Sequence, residues 1–267
     1  MSKRPLKTPE FIALFSLVTS LTAISIDAIL PALRQIGQAL AISEPNSVQF
    51  VVTMFIFGMV FGELLFRPFS DAVGRKWAIL AGLLIFSIGA VVAMTAQSFE
   101  HLLVGRIIQG FGAAGPKIAS RALIRDLYEG AAMARIMSLI FMVFILVPMV
   151  APALGQAVMF VADWRAIFAL YLVLAVVVAA WLGIRQPETL APDRRVRLSI
   201  MPLLRNALLI LRHGQVMAYT ASAGLIFGVL LLYVSTSQAT FLDLYGVDTD
   251  FPLYFAILAT ALGIAAF

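Results

Sequence analysis

The chain has 267 residues, of which 62% are hydrophobic and only 12% charged, with a formal net charge of +5. Soluble domains carry about 25% charged and about 45–50% apolar residues, and a soluble fold of this length has too little interior for the excess. A water-soluble enzyme or nucleic-acid-binding domain is thereby excluded, and the lipid bilayer must act as solvent for much of the chain.

The chain contains no cysteine, which rules out a disulfide framework and thiolate metal sites. His101 and His213 stand apart, not at ligand spacing, so neither a metal nor another cofactor is expected. The basic balance has a simpler cause than nucleic acid, because loops on the cytoplasmic side of membrane proteins are rich in Lys and Arg.

A span needs about 20 mostly apolar residues. In chain order such runs predict helices over Pro9–Leu33, Ser47–Phe66, Trp77–Ala96, His101–Ile118, Ala134–Phe160, Trp164–Ile184 and Gln215–Val234. An eighth begins near Phe251 and is still apolar at Phe267. The opening MSKRPLKTPE leads straight into the first run, with no small-residue cleavage pattern close behind it. If the N-terminus is cytoplasmic, the N-terminal segment and the even-numbered gaps hold sixteen of the nineteen basic residues. That bias places the N-terminus in the cytoplasm.

Residues 185–214 form the longest connection, basic and interrupted by Pro187, Pro192 and Pro202, with an amphipathic stretch at Leu203–Leu211 suited to a membrane surface. Six helices, a long basic linker and further helices form the layout of a two-half transporter. The expected organisation is a six-helix half over 1–184, a linker over 185–214 and the start of a second half over 215–267.

Four stretches carry polar chemistry. In the first span, Asp27 is surrounded by apolar residues within Ala23–Leu33. Burial disfavours the charged form of a carboxyl, so such a group can hold a proton and release it when a cation arrives; the alternative is a hydrated residue near the outer end. Between the second and third spans, Gly62–Lys76 contains Pro68, Asp71, Gly74, Arg75 and Lys76. Gly74 suits a tight turn, and Asp71 suits a helix cap or a pair with a nearby arginine; the alternative is an ordinary charged loop. Glu63 near the end of the second span reads as solvated or ion-paired.

In the fourth span, Arg106 is followed by Gln109, Gly110 and Gly112, and the run continues to Arg125 and Asp126. A charge inside a span is costly and marks function by default, while the small residues allow close helix approach; the alternative is a snorkelling arginine. In the fifth span, Pro148, Pro152 and Gly155 allow a kink or close packing. Phe55, Phe57, Met54, Phe141 and Met142 are candidates for lining a greasy cavity. No phosphate-binding glycine loop and no nucleophile–base pair supports an ATP-driven pump or an intramembrane enzyme.

These stretches together resemble the major facilitator superfamily, and within it the drug:proton antiporter branch of the Bcr/CflA type. The loop at Pro68-Phe-Ser-Asp71-Ala-Val-Gly74-Arg75-Lys76 resembles the branch's GPLSDRxGRR, with Arg67 replacing its glycine and Ala72 its basic residue. Gly105–Pro116 resembles RxxQGxGAA, Ala119–Asp126 resembles ARAIVRD, Pro148–Gln156 resembles PxxAPxLGG, Trp164–Phe168 resembles WRxIF, and Ser25–Leu33 resembles SxDxYLPAL. The resemblance implies an all-α membrane fold, with the N-terminal six-helix bundle complete and the C-terminal bundle begun out of twelve helices. It also implies multidrug efflux from a bacterial inner membrane, exchanging protons for small hydrophobic or cationic molecules. Asp27 and Arg106 would then serve proton coupling, and Pro68, Asp71, Gly74, Arg75 and Lys76 a latch between halves. Gln109, Gly110, Gly112, Arg125 and Asp126 would form the fourth-span element, and Pro148, Pro152 and Gly155 the antiporter element. A metabolite symporter and a non-transporting protein of the same fold are the rival expectations.

Overall fold

The computed structural model describes residues 6–196, 198, 200–241, 245–246, 253–257 and 260. The first span is a broken helix. Helix α1 (Thr8–Asp27) carries Pro9 in its first turn, where a missing N–H is harmless, and stops at Asp27; a 3₁₀ turn (Leu30–Ala32) containing Pro31 leads into α2 (Leu33–Ala39). The expected single helix over Pro9–Leu33 is thus interrupted inside, because Pro31 cannot donate to the ladder and crowds the preceding turn.

Helix α3 (Phe50–Val73) runs through Pro68, and α4 (Arg75–Met94) follows after a single residue, Gly74, at φ 112°. The segment Gly62–Lys76 is therefore mostly the end of a helix, not a loop. Helix α5 (Phe99–Leu127) is continuous past the expected end at Ile118 and includes Pro116. Of the sixteen basic residues assigned to the cytoplasmic side, Arg67, Lys117, Arg121, Arg125 and Arg135 lie within these helices or α6 (Gly130–Val161). Helices α6 (Gly130–Val161) and α7 (Arg165–Arg185) complete six spans. The linker then forms α8 (Ile200–Arg212) at the amphipathic stretch, and α9 (Gly214–Ala239) is the seventh span. Residues 253–257 are helical, and most of the eighth run lies outside the described residues.

Among the described residues, six helical segments are long and apolar enough to cross a membrane, including Thr8–Ala39, Asn46–Val73 and Gly130–Val161. Helix α5 is not one of them, since its polar face lowers its hydropathy, and it packs mainly between α3 and α4. Small residues set that packing. A Cβ on Gly110 would collide with the Phe55 carbonyl of α3, and one on Gly112 would collide with the Phe86 backbone nitrogen of α4. In lipid, where apolar burial gives no drive between helices, such close backbone approach is the main source of association. Helix α1 packs on α6, α5 and α7. At the basic end, Arg185 forks onto Glu10, with Nε to Oε1 at 2.7 Å and Nη2 to Oε2 at 2.8 Å, tying the start of α1 to the end of α7.

Candidate functional site

The break in the first span creates the site. Because α1 ends at Asp27, the Ser25 carbonyl is among the last ones without an in-helix partner. Arg106 of α5 donates to it from Nη2 at 3.0 Å, and the Tyr171 hydroxyl of α7 donates at 3.5 Å. Arg106 also donates from Nε to the Val51 carbonyl at 2.8 Å and from Nη1 to Gln109 Oε1 at 2.7 Å. Its guanidinium carbon lies 4.5 Å from the Phe55 ring centre and 5.9 Å from that of Phe168, within cation–π range.

Arg106 is therefore 0% exposed and fully engaged inside the bundle, not snorkelling to a surface. Its partners are carbonyls, an amide and two ring faces, with no carboxylate among them. Helix α5 joins α1 and α3 through this one side chain. The Gln109 amide nitrogen is buried and makes no hydrogen bond among the described residues.

Asp27 is 5% exposed, and its carboxylate makes no hydrogen bond or ion pair among the described residues. It is neither hydrated at an outer end nor neutralised by Arg106. The antiporter element meets this same place: a Cβ on Gly155 of α6 would collide with the Ala28 carbonyl. Ala151 and Pro152 are buried beside it, and α6 keeps its helical path through Pro148 and Pro152.

A groove of about 1230 Å³ runs between α1 and α6, lined by Ser16, Ser20 and Ile24 from α1 and by Ile136, Val147 and Ala151 from α6. Arg135 is the one charged lining residue, and Asp27 lies one turn beyond Ile24. None of Met54, Phe55, Phe57, Phe141 and Met142 lines it. Phe55 instead stacks under Arg106, and Phe57, Phe141 and Met142 point outward as exposed apolar residues on their helices.

The second cluster is at the basic end. Arg75 donates from Nε to Asp126 Oδ2 at 2.9 Å, from Nη1 to Ser70 Oγ at 3.1 Å, and pairs with Asp71. Asp71 thus pairs with arginine and does not cap α4. The cap comes from Glu188 in the linker, whose carboxylate accepts Arg75 N–H at 2.9 Å and Lys76 N–H at 3.1 Å. The same carboxylate accepts the N–H groups of Thr189 and Leu190, each at 2.9 Å.

Val196 N–H donates to the Asp71 carbonyl at 3.0 Å, so the strap returns to α3. Lys76 does not reach for solvent: it is buried, and its Nζ donates to the Gly183 carbonyl of α7 at 2.8 Å. Arg125 is exposed and outside the cluster. Glu188 went unnoticed in the sequence because its role depends on a strap folding back over more than one hundred residues; the local signal was only that it is one of two acids, with Asp193, in a basic linker.

A six-span bundle with a broken first helix, a buried arginine and a lone buried carboxyl at the break defines a polytopic α-helical membrane protein built like one half of a transporter. A profile described as Major Facilitator Superfamily matches residues 15–267, and the chain belongs to that superfamily. It is 33% identical to the "Bicyclomycin resistance protein homolog" of Haemophilus influenzae, over 93% of this chain and 62% of that protein. It is 31% identical to "Multidrug resistance protein D" of Escherichia coli, over 76% of this chain and 54% of that protein. Among solved structures it resembles a D-xylose-proton symporter with a TM-score of 0.69 at 16% identity, covering 93% of this chain and 65% of that one. The chain thus spans less than two thirds of the length of these relatives, and the likeness to resistance proteins agrees with the drug:proton antiporter resemblance read from the motifs.

Proposed function

We propose that the chain supplies the N-terminal half, over 1–184, the linker, over 185–214, and the start of the second half of a proton-coupled exporter of hydrophobic or cationic drugs. It resides in a bacterial inner membrane with its N-terminus in the cytoplasm. The observation that carries this reading is the Asp27 carboxyl: buried, without a partner, and placed where the first span breaks.

An unpaired carboxylate is expensive to bury, so the group holds a proton until a cation takes its place. Cargo and proton then compete for one negative charge, and exchange follows. Arg106 is held in place because its Nε, Nη1 and Nη2 each donate to a carbonyl or amide oxygen; it sets the field at the break and holds α1, α3 and α5 in register. The groove between α1 and α6 offers an apolar approach that stops one turn short of Asp27. The Arg75–Asp71–Asp126 cluster and the turn at Gly74 form this half's share of the latch, by which alternating access would be gated.

The support from relatives is their names as resistance proteins, together with the ordered motifs. The test is proton release from detergent-solubilised protein on addition of tetraphenylphosphonium. Asp27→Asn should bind the cation with fewer protons released. Undiminished release in that variant would refute the role of Asp27.

A further inference from the structure

Helix α8 lies in the linker and is too short to cross a membrane. Its 13 residues rise about 20 Å, against a hydrocarbon core of about 30 Å. Its apolar side chains are nevertheless uncovered: Leu208, Leu209, Ile210 and Leu211 are each more than half exposed. On a span such a run faces acyl chains, but in an aqueous loop it would be an aggregation hazard.

Both ends of α8 are held at the membrane boundary. Before it, Val196 N–H donates to the Asp71 carbonyl at 3.0 Å, beside the turn that joins the spans α3 and α4. Ile200 follows Val196 by four positions, a reach of at most about 14 Å. After α8, only His213 stands before α9, whose Gly214–Val234 stretch is long and apolar enough to cross. His213 is extended, at φ −90° and ψ 97°, so the chain changes direction there and α8 does not prolong the span. A helix pinned at both ends to one end of the bundle lies along it, where its apolar side meets the bilayer surface.

The charges decide which surface. Arg194, Arg195, Arg205 and Arg212 are exposed and form no ion pair among the described residues. Between Thr189 and Gly214 the sequence has a single acid, Asp193. The charges before that stretch are committed, Arg185 to Glu10 and Glu188 to the N–H groups of Arg75, Lys76, Thr189 and Leu190. Arg205 and Arg212 stand seven positions apart, about two turns, and so share one side of α8. A zwitterionic headgroup would leave these cations without net opposite charge. Guanidinium groups fork onto phosphate, and a negative leaflet attracts each basic residue beside it.

We propose that α8 is a docking element for anionic phospholipid of the cytoplasmic leaflet. Leu208 and Leu211 enter the acyl boundary, and Arg205 and Arg212 hold the phosphates of negatively charged headgroups. The partner is the lipid surface and not the transported compound, so the exchange at Asp27 plays no part in it.

The test uses the absence of cysteine from the chain. A nitrobenzoxadiazole label on Leu208→Cys is followed in nanodiscs of phosphatidylcholine, with or without phosphatidylglycerol. With phosphatidylglycerol the emission should move to the blue and be quenched by phospholipid brominated on its acyl chains. Added salt should reverse both changes, because it screens the arginines. Each arginine near an anionic surface is worth about fivefold in partition, so Arg205→Gln/Arg212→Gln should lower the docked-to-undocked ratio about thirtyfold. A label on Val177→Cys, an exposed position of α7, should be quenched equally throughout and reports that the bundle is intact.

Equal quenching at Leu208→Cys in the two lipids, or quenching indifferent to the arginines, would overturn the recognition of charge. A label that stays in water in both lipids would overturn docking altogether, whatever else covers α8.

Discussion

The Glu188 carboxylate sits against Gly74, where any side chain would strike it, and it accepts the N–H groups of the two residues that follow. The turn and the strap are shaped to each other. Glycine is required twice, once for its φ of 112° and once for the space the carboxylate fills.

Replacing Glu188 by Ala leaves the first N–H groups of α4 without a charged acceptor and should lower stability by about 2 kcal/mol. Gly74→Ala should cost about 1–3 kcal/mol through its backbone angle alone, plus the clash. In the double variant the clash disappears while the backbone strain remains. Thermal unfolding in detergent should therefore show a combined loss smaller than the sum. Additive losses would contradict the contact.

Gly155→Ala drives a methyl group into the Ala28 carbonyl at the break in the first span, and the expected loss is about 1–3 kcal/mol of stability. Gly183→Ala is the control, because nothing lies within 4 Å of a Cβ there. Unfolding midpoints of the two variants, compared directly, check the prediction.

Arg106→Lys keeps the charge and loses the fork. One ammonium cannot serve Val51, Ser25 and Gln109 in the geometry the planar guanidinium uses. A loss of about 2 kcal/mol or more is expected, since buried acceptors are left unmet. The variant should also bind tetraphenylphosphonium more weakly, which equilibrium dialysis would measure.

Asp27→Asn should behave in the opposite sense. It removes a buried group that is expensive to ionise and has no partner to lose, so the unfolding midpoint should hold or rise while cation-linked proton release falls. A large fall in midpoint would show that the carboxylate has a structural partner after all.

Much of this protein was legible in its sequence, and the reason is the solvent. In lipid the spanning backbone groups must be bonded inside the protein, so apolar runs of sufficient length become helices; all seven complete runs are helical, the first with a break at Leu30–Ala32. The motif residues were equally visible, because a charge or a glycine in an apolar run has few bland explanations. Helix ends were less visible: Gly62–Lys76 reads as a loop by its charges, yet α3 continues to Val73 since Asp71 and Arg75 find each other across one turn.

What the linear order could not decide was which polar groups meet. Arg106 could have snorkelled; only the packing of α1, α3 and α5 shows it satisfied by the carbonyl that the broken first span sets free. Lys117 counted only toward the cytoplasmic basic bias until α5 carried it beside Glu63, and Glu188 had no apparent role until the strap folded back onto α4. Hydrophobicity along the chain determines which segments enter the bilayer, because transfer free energy sums over local composition. Tertiary structure alone decides the pairing of charges, because partners distant in sequence are chosen by where backbones can approach.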